Sequence, residues 1–340
     1  MIQQALSGLL DGHDLTREEA RGVMGEVMAG EATPAQIAGF LVALRAKGET
    51  ADEIAGCAEA MREHALVVRP TRDDLVDTAG TGGDGARTFN ISTAAALVAA
   101  TAGAAVAKHG NRAVSSACGS ADVLEALGFE LELPPGRIAR SIDELGFGFL
   151  FAPSHHPAMR HAASVRRELA TRTVFNVLGP LTNPAGARSQ IVGVYEPGLV
   201  RTIAEVLARL GARRAFVVHG AGGVDELSPV GPNLVCEVVG GRVRERTVDP
   251  LDLGVARCAP EELRGGTPEE NAAAIRDVFA GANGGRRSAI LLNAAGAIAA
   301  GGLARDLAEG LAHAREALES GAAAKRLEQL VEFSRAEAVA

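Results

Sequence analysis

Between Asp77 and Gly85 the chain reads Asp-Thr-Ala-Gly-Thr-Gly-Gly-Asp-Gly, and Asn90-Ile91-Ser92-Thr93 opens a helical pattern shortly after. Glycines free backbone N–H groups to wrap an anion, and a following helix adds the positive end of its dipole. Two familiar phosphate motifs fit only in their letters. Gly80, Gly82 and Gly85 satisfy G-x-G-x-x-G, yet a dinucleotide site wants its helix at once and an acid about 20 residues on, and 99–107 contains none. Gly80 and Gly85 satisfy G-x-x-x-x-G, yet Ala86-Arg87 stands where a nucleoside-triphosphate loop needs Lys-Ser/Thr. The plain alternative is a bend that serves packing alone. The polar Thr81, Asp84, Thr88, Asn90, Ser92 and Thr93 interleaved with the glycines weigh against it.

Three further stretches could share this chemistry. Lys108-His109-Gly110-Asn111-Arg112, followed by Ser115, Ser116, Gly119 and Ser120, offers two cations for phosphate charge and several hydrogen-bonding groups; alone it reads equally well as a solvated basic loop. Asp225-Glu226 follows a turn at 220–223 and presents two hard-oxygen ligands of the kind Mg²⁺ takes when it is shared with substrate phosphates; alone it reads as a capped surface turn. His155, His156 and His161 invite a metal, but no ligand spacing with a nearby acid is present. The His-Pro turn at 156–157 is better read as shaping a pocket, with Arg166 supplying a planar fork for a carboxylate.

The elements that must position these groups change character along the chain. Residues 1–66 carry only helical patterns, over 2–10, 16–29, 33–46 and 50–63; Thr16 with Glu19 forms a capping box, and Thr33-Pro34 is a cap with proline at the first helical position. Pro70 breaks the pattern. From Leu75 short apolar runs end in Gly-rich turns and alternate with helices, the mark of a parallel sheet flanked by helices. Strands are expected at 75–77, 104–107, 147–151, 191–194, 215–218 and 289–292, and helices at 91–102, 121–127, 199–210 and 271–280. Segments 234–239 and 242–248, joined by Gly240-Gly241, read as a hairpin appended to this core, and 301–340 as one or two amphipathic helices. The fold class is therefore α/β, with a small all-helical domain over 1–69 and a larger domain with a mainly parallel sheet over 70–340. In a parallel sheet the loops at the C-terminal strand ends meet in one crevice, so the Gly-rich turn and the 108–112 loop can face one ligand.

Composition narrows the functional class. With 340 residues the chain exceeds one ordinary core, and its many Ala and Gly suit close packing of helices on a sheet. A net charge of −8 opposes a nucleic-acid partner. Cys57, Cys118, Cys236 and Cys258 show neither a disulfide framework nor zinc spacing, and the N-terminus lacks a signal peptide's basic and apolar regions, so a soluble cytoplasmic protein with no membrane contact is expected.

Together these loops resemble those of the anthranilate phosphoribosyltransferase family, which carries out the second step of tryptophan biosynthesis. The matching motifs are GTGGD at 80–84, NIST at 90–93, KHGNR at 108–112, GSADVLEALG at 119–128, HHPAM at 155–159, RREL at 166–169, FNVLGPLTNP at 175–184 and DELS at 225–228, in the family's order. Two departures are Ala117, where many relatives carry Lys, and Ala170 after RREL, where Gly is usual. The resemblance implies phosphoribosyl pyrophosphate held by Gly80, Gly83, Asp84, Thr88, Asn90, Ile91, Ser92, Thr93, Lys108, Gly110, Asn111, Arg112, Ser115, Ser116 and Ser120. It implies Mg²⁺, two ions per site, on Ser92, Asp225 and Glu226, and anthranilate against Gly80, His109, Asn111, Arg166 and Gly179. His109, Asn111 and Arg166 are the residues it implies for catalysis. It further implies that a later segment over 164–186 packs with the helical domain, and that two copies pair through that domain. The architecture is shared with pyrimidine-nucleoside phosphorylases, whose Gly-rich loop instead begins Lys-His-Ser. A silent relative that binds nucleic acid would want a basic surface and could lose the Asp-Glu pair.

Overall fold

A computed structural model describes residues 1–113 and 117–336. Helices α1 (Ile2–Leu10), α2 (Arg17–Ala29), α3 (Pro34–Lys47) and α4 (Ala51–Glu63) come first. Thr16, Thr33 and Thr50 each close a reciprocal capping box with Glu19, Gln36 and Glu53. Each box satisfies two backbone donors that a helix start otherwise leaves open. Helices α2 and α4 press so closely that a side chain on Gly56 would meet the Arg17 carbonyl at 2.2 Å.

The rest of the chain runs β1 (Leu75–Gly80), α5 (Ile91–Thr101), β2 (Ala105–Gly110), α6 (Ser120–Leu127), α7 (Pro135–Leu145), β3 (Phe147–Phe151), α8 (Ala152–His155), α9 (Arg160–Leu169), α10 (Phe175–Leu178), β4 (Ser189–Gly193), α11 (Leu199–Arg209), β5 (Arg214–His219), β6 (Asn233–Val239), β7 (Arg242–Val248), α12 (Pro268–Phe279), α13 (Gly285–Ala300), α14 (Leu307–Glu319) and α15 (Ala322–Arg335). The seven strands form one sheet in the order β3-β2-β1-β4-β5-β6-β7. The first five are parallel; β6 and β7 continue the sheet antiparallel. The hairpin turn places Gly240 and Gly241 at φ 54° and 79°, a left-handed pair that twists with the strands. Its strands are part of the sheet's edge and not a separate flap.

One expected strand is absent. Residues 289–292 lie inside α13, a helix buried on every side between the sheet, α5 and α14. A helix enclosed all round loses its polar face, so a short apolar run within it carries no period that separates it from a buried strand. Small residues make the enclosure possible: a Cβ on Gly296 would meet Ile191 at 2.5 Å, and one on Gly310 the Ala295 carbonyl at the same distance. Helix α7, which starts at the Pro134-Pro135 pair and buries Ile138 and Ile142, is an element the strand-helix alternation did not bring out.

The four N-terminal helices share an apolar cluster with Ala162 and Val165 of α9, Phe175 and Leu178 of α10, and Ile203 and Leu207 of α11. Segment 160–178 thus rests on the bundle while its far side faces the sheet's C-terminal edge. The chain leaves β1 for β2 and β3 on one side and returns to β4 on the other, so loops diverge between β1 and β4, where a ligand crevice opens in folds of this kind. No helix among the described residues is long and apolar enough to cross a membrane.

Candidate active site

A cleft of about 400 Å³ opens at that divergence. Its floor depends on two glycines. Gly80 ends β1 and pairs with Gly193 at the end of β4, and the loop bearing Asp225 lies across both. A Cβ on Gly80 would come within 2.3 Å of the Asp225 carboxylate, and one on Gly193 within 1.4 Å of its carbonyl oxygen. Neither position tolerates a side chain. The Asp225-Glu226 pair accordingly sits over the strand ends, half-buried, and is not a surface turn.

Backbone groups tie this loop to the Gly-rich turn. The N–H of Gly82 donates to Asp225 Oδ2 at 2.7 Å, that of Asp225 to Asp84 Oδ2 at 3.2 Å, and that of Ser92 at the start of α5 to Glu226 Oε1 at 3.1 Å. Three carboxylates thereby gather around the turn. Burial first, then the charge of Asp84, raises the pKa of Asp225; burial and then Asp225 raise that of Glu226. Among the described residues no three His, Cys, Asp or Glu side chains could enclose a metal unaided. Two carboxylates beside an open cleft are the kind of donor set that Mg²⁺ shares with water and substrate phosphate.

Strand alternation sends Lys108 and His109 to opposite faces of β2. The Lys108 ammonium is buried under the turn, donating to the Thr78 carbonyl at 2.5 Å and lying 3.4 Å from Ser92 Oγ. Burial lowers its pKa, while Asp77, Glu226 and Asp225 favour its charge. His109 packs on the side of α10: its backbone N–H donates to Asp77 Oδ1 at 3.0 Å, and its Nδ1 is 3.0 Å from the Gly179 carbonyl. Since a carbonyl only accepts, Nδ1 carries the proton and Nε2 offers a lone pair. Burial, with His156 nearby, pushes the His109 pKa down to about 3, so the ring is neutral in ordinary buffers. Among the described residues the buried Nε2 atoms of His109 and His156 have no protein partner. Asn183, in the 175–184 run, donates at 2.7 Å to both Asp77 Oδ2 and the Ala107 carbonyl, fixing the segment under His109.

Arg166 at the end of α9 stacks 5.0 Å over Phe175 and has no carboxylate partner among the described residues; burial lowers its pKa. A half-buried guanidinium in this setting has the planar donor geometry that can take a carboxylate through two parallel N–H···O bonds. Arg112 is differently placed. It bonds Asp122 at 3.1 Å and Glu125 at 2.8 Å, so its charge is already neutralised by α6. The side chain expected to face phosphate therefore serves in this conformation to brace the 108–112 loop. Asn90 is likewise engaged, donating to the Cys118 carbonyl at 3.2 Å and accepting from Asn271 at 2.9 Å.

Every described residue that the resemblance assigned to donor, acceptor or metal lines this single cleft: Gly80, Gly83, Asp84, Thr88, Asn90, Ile91, Ser92, Thr93, Lys108, His109, Gly110, Asn111, Arg112, Ser120, Arg166, Gly179, Asp225 and Glu226. Ser115 and Ser116 lie outside the described residues. The histidines at 155 and 161 are engaged apart from each other: His155 Nδ1 is 2.9 Å from the Leu66 carbonyl, and the His161 ring abuts Gly30. Sequence reasoning overlooked Arg172, Tyr195 and Asn176, which also line the cleft, and Gly193 beneath Asp225. Arg172 lies only three residues before Phe175, where a signal was available; Tyr195 and Gly193 carry no motif.

A helical bundle joined to an α/β body, with the cleft where they meet, defines the class: residues 3–65 match the helical bundle domain of the glycosyl transferase family, and residues 72–324 its a/b domain. Anthranilate phosphoribosyltransferase from Anaeromyxobacter sp. (strain K) is 56% identical over 97% of this chain and 98% of its own length, and that from Pelotomaculum thermopropionicum is 53% identical over 98% and 97%. The crystal structure of anthranilate phosphoribosyltransferase (TrpD) from Thermus thermophilus superposes with a TM-score of 0.93 at 52% identity, covering 98% of this chain and 99% of that one. The Saccharomyces cerevisiae enzyme in complex with PRPP and Mg superposes at 0.88 with 28% identity, covering 98% and 97%. The chain belongs to the anthranilate phosphoribosyltransferase family.

Proposed function

We propose that this protein transfers the 5-phosphoribosyl group of phosphoribosyl pyrophosphate to anthranilate, giving N-(5-phosphoribosyl)anthranilate and pyrophosphate, the second step from chorismate to L-tryptophan. The observation that carries the reading is the convergence of the Gly80–Asp84 turn, the start of α5 and the Asp225-Glu226 pair on one cleft, with Arg166 stacked on Phe175 at its other wall.

In this reading the N–H groups of Gly83 and Asp84 in the turn, and of Asn90 and Thr93 at the start of α5, receive the pyrophosphate, aided by the α5 dipole. Gly110, Asn111, Ser115, Ser116 and Ser120 hold the remainder of the donor. Asp225 and Glu226, with Ser92, hold Mg²⁺; Asp225 turns toward Gly82 and Asp84 while Glu226 turns toward Ser92, which supports two ion positions. When bound, Mg²⁺ neutralises charge developing on the leaving pyrophosphate. Buried Lys108 offsets the carboxylates from below. On the acceptor side Arg166 grips the carboxylate, and Gly80, Asn111 and Gly179 shape the pocket. Neutral His109, fixed by the Gly179 carbonyl and Asp77, packs beside the acceptor and orients its amine on the ribose face opposite pyrophosphate. An aromatic amine attacks without prior deprotonation, so no strong base is required.

The chain is read as two domains, 1–69 and 70–340, with segment 164–186 resting on the first, and as a homodimer built through the helices. Exposed Leu10 and Val42, 73% and 46% accessible, support that surface. The purified protein mixed with phosphoribosyl pyrophosphate, Mg²⁺ and anthranilate should consume the fluorescence of anthranilate. Absence of a magnesium-dependent decrease overturns the reading.

A further inference from the structure

The Gly-rich turn is clamped from the acceptor side of the cleft. Arg172, on the loop between α9 and α10, donates from Nη2 to the Gly83 carbonyl at 2.5 Å, while its guanidinium lies 3.9 Å over the Tyr195 ring. Tyr195 is itself joined to the turn, its backbone N–H donating to Thr81 Oγ1 at 3.1 Å. Gly82 and Gly83 occupy the left-handed region, at φ 66° and 75°. Glycine adopts either hand at similar cost, so nothing in a Gly-Gly pair chooses between peptide orientations. Thr81 and Gly82 are held on the inner edge by the Gly193 carbonyl and Asp225. At Gly83 the anchor is Arg172.

We infer that Arg172 is a positioning residue for the phosphoribosyl donor: stacked on Tyr195, it fixes the Gly82-Gly83 turn in the form that receives pyrophosphate. The inference rests on the proposed activity and adds to it a device that acts through the turn and not by touching the substrate. A peptide unit is planar with its C=O and N–H on opposite sides, so drawing the Gly83 carbonyl toward Arg172 turns the Asp84 N–H the other way. Released, the turn would sample orientations that set a carbonyl oxygen where a donor N–H is needed. Arg172 is exposed, so its removal does not threaten the core. The position needs a planar fork that can stack and donate together, which Lys lacks.

The test compares wild type with Arg172→Ala, Arg172→Lys, Tyr195→Leu and Tyr195→Phe by steady-state kinetics, and by calorimetric titration with pyrophosphate and Mg²⁺. Arg172→Ala, Arg172→Lys and Tyr195→Leu should each raise the KM for phosphoribosyl pyrophosphate and the Kd for pyrophosphate about tenfold, the scale of one charge-assisted hydrogen bond. The KM for anthranilate and kcat should stay within about threefold, and Tyr195→Phe, which keeps the stacking ring, should raise the donor KM less than Tyr195→Leu. Rescue by Lys with no effect of Tyr195→Leu would make Arg172 a direct phosphate contact and overturn the inference. So would an unchanged donor KM in Arg172→Ala. An inactive wild type would instead sink the proposed activity, which separates the two failures.

Discussion

Gly193 leaves no space beside Asp225: a methyl group there would lie 1.4 Å from the Asp225 carbonyl oxygen. The carboxylate pair is therefore placed by a glycine on a strand that shares no motif with it. Gly193→Ala must push the loop off the strand ends. Overpacking of this kind costs about 1–3 kcal/mol, and the displaced carboxylates should lower magnesium-dependent turnover by about a hundredfold or more. Melting and anthranilate fluorescence measured on the same preparation check both effects. Wild-type turnover would mean that the loop can rise without harm.

Asp225→Asn with Glu226→Gln should abolish most turnover while leaving the metal-free fold intact or firmer. Both acids have raised pKa values, chiefly through burial, with the charge of Asp84 adding to it at Asp225 and that of Asp225 at Glu226. Above the ordinary carboxylate range of about 4, the unfolded chain has released protons that the folded chain still holds, so these groups make stability fall as pH rises toward their folded pKa values. The melting temperature of wild type relative to the double variant should decline with pH across that window when Mg²⁺ is absent. Added Mg²⁺ should stabilise wild type more at higher pH, where the ligands are ionised, and the variant hardly at all. Turnover within a few-fold of wild type would remove the pair from the metal site.

Arg166→Ala should raise the KM for anthranilate by about 10- to 100-fold, the scale of a lost hydrogen-bonded charge contact, with the donor KM nearly unchanged. Arg166→Lys should recover only part, because an ammonium cannot both stack on Phe175 and bind a carboxylate through two N–H groups. A parallel rise in both KM values would show that Arg166 is not a dedicated carboxylate contact.

His109 should leave no mark on the pH dependence of kcat near its ordinary value of about 6.5, since burial and His156 hold it down to about 3. A pH profile across roughly 5.5 to 8, bracketing that ordinary value, checks this. A limb near 6.5 that disappears in His109→Asn would show that the ring titrates during turnover.

Asn183→Ala should cost about 1–3 kcal/mol of stability, because Asp77 loses one of its donors in a buried site. Burial already lifts the Asp77 pKa to about 6, and the lost bond should lift it further, so the variant's deficit should grow as pH rises and Asp77 must ionise inside the fold. Chemical denaturation at about pH 5.5 and about pH 8 measures the difference; equal deficits at both would contradict the role given to the Asp77–Asn183 bond.

Local signals were strong where local physics decides. The capping threonines Thr16 and Thr33, the Gly240-Gly241 turn and the alternation of apolar runs with helices all follow from interactions within a few residues, and each was legible along the chain. The residues from Gly80 to Glu226 that line the cleft stood out for another reason: a Gly-rich turn, a basic loop and a paired carboxylate are each conspicuous in residue type over a few positions. What the chain alone could not disclose depends on approaches between distant segments. The 289–292 run is helical because three layers enclose it; Lys108 points inward because β2 lies where buried carboxylates need a cation; Arg112 is spent on Asp122 and Glu125. Sequence determined the chemistry available at the cleft and the elements that carry it. Tertiary structure decided which groups face the cavity and which backbone positions must be bare, since contacts such as Gly193 with Asp225 and Arg172 with Gly83 join residues 32 and 89 positions apart, and no period or propensity reports on those.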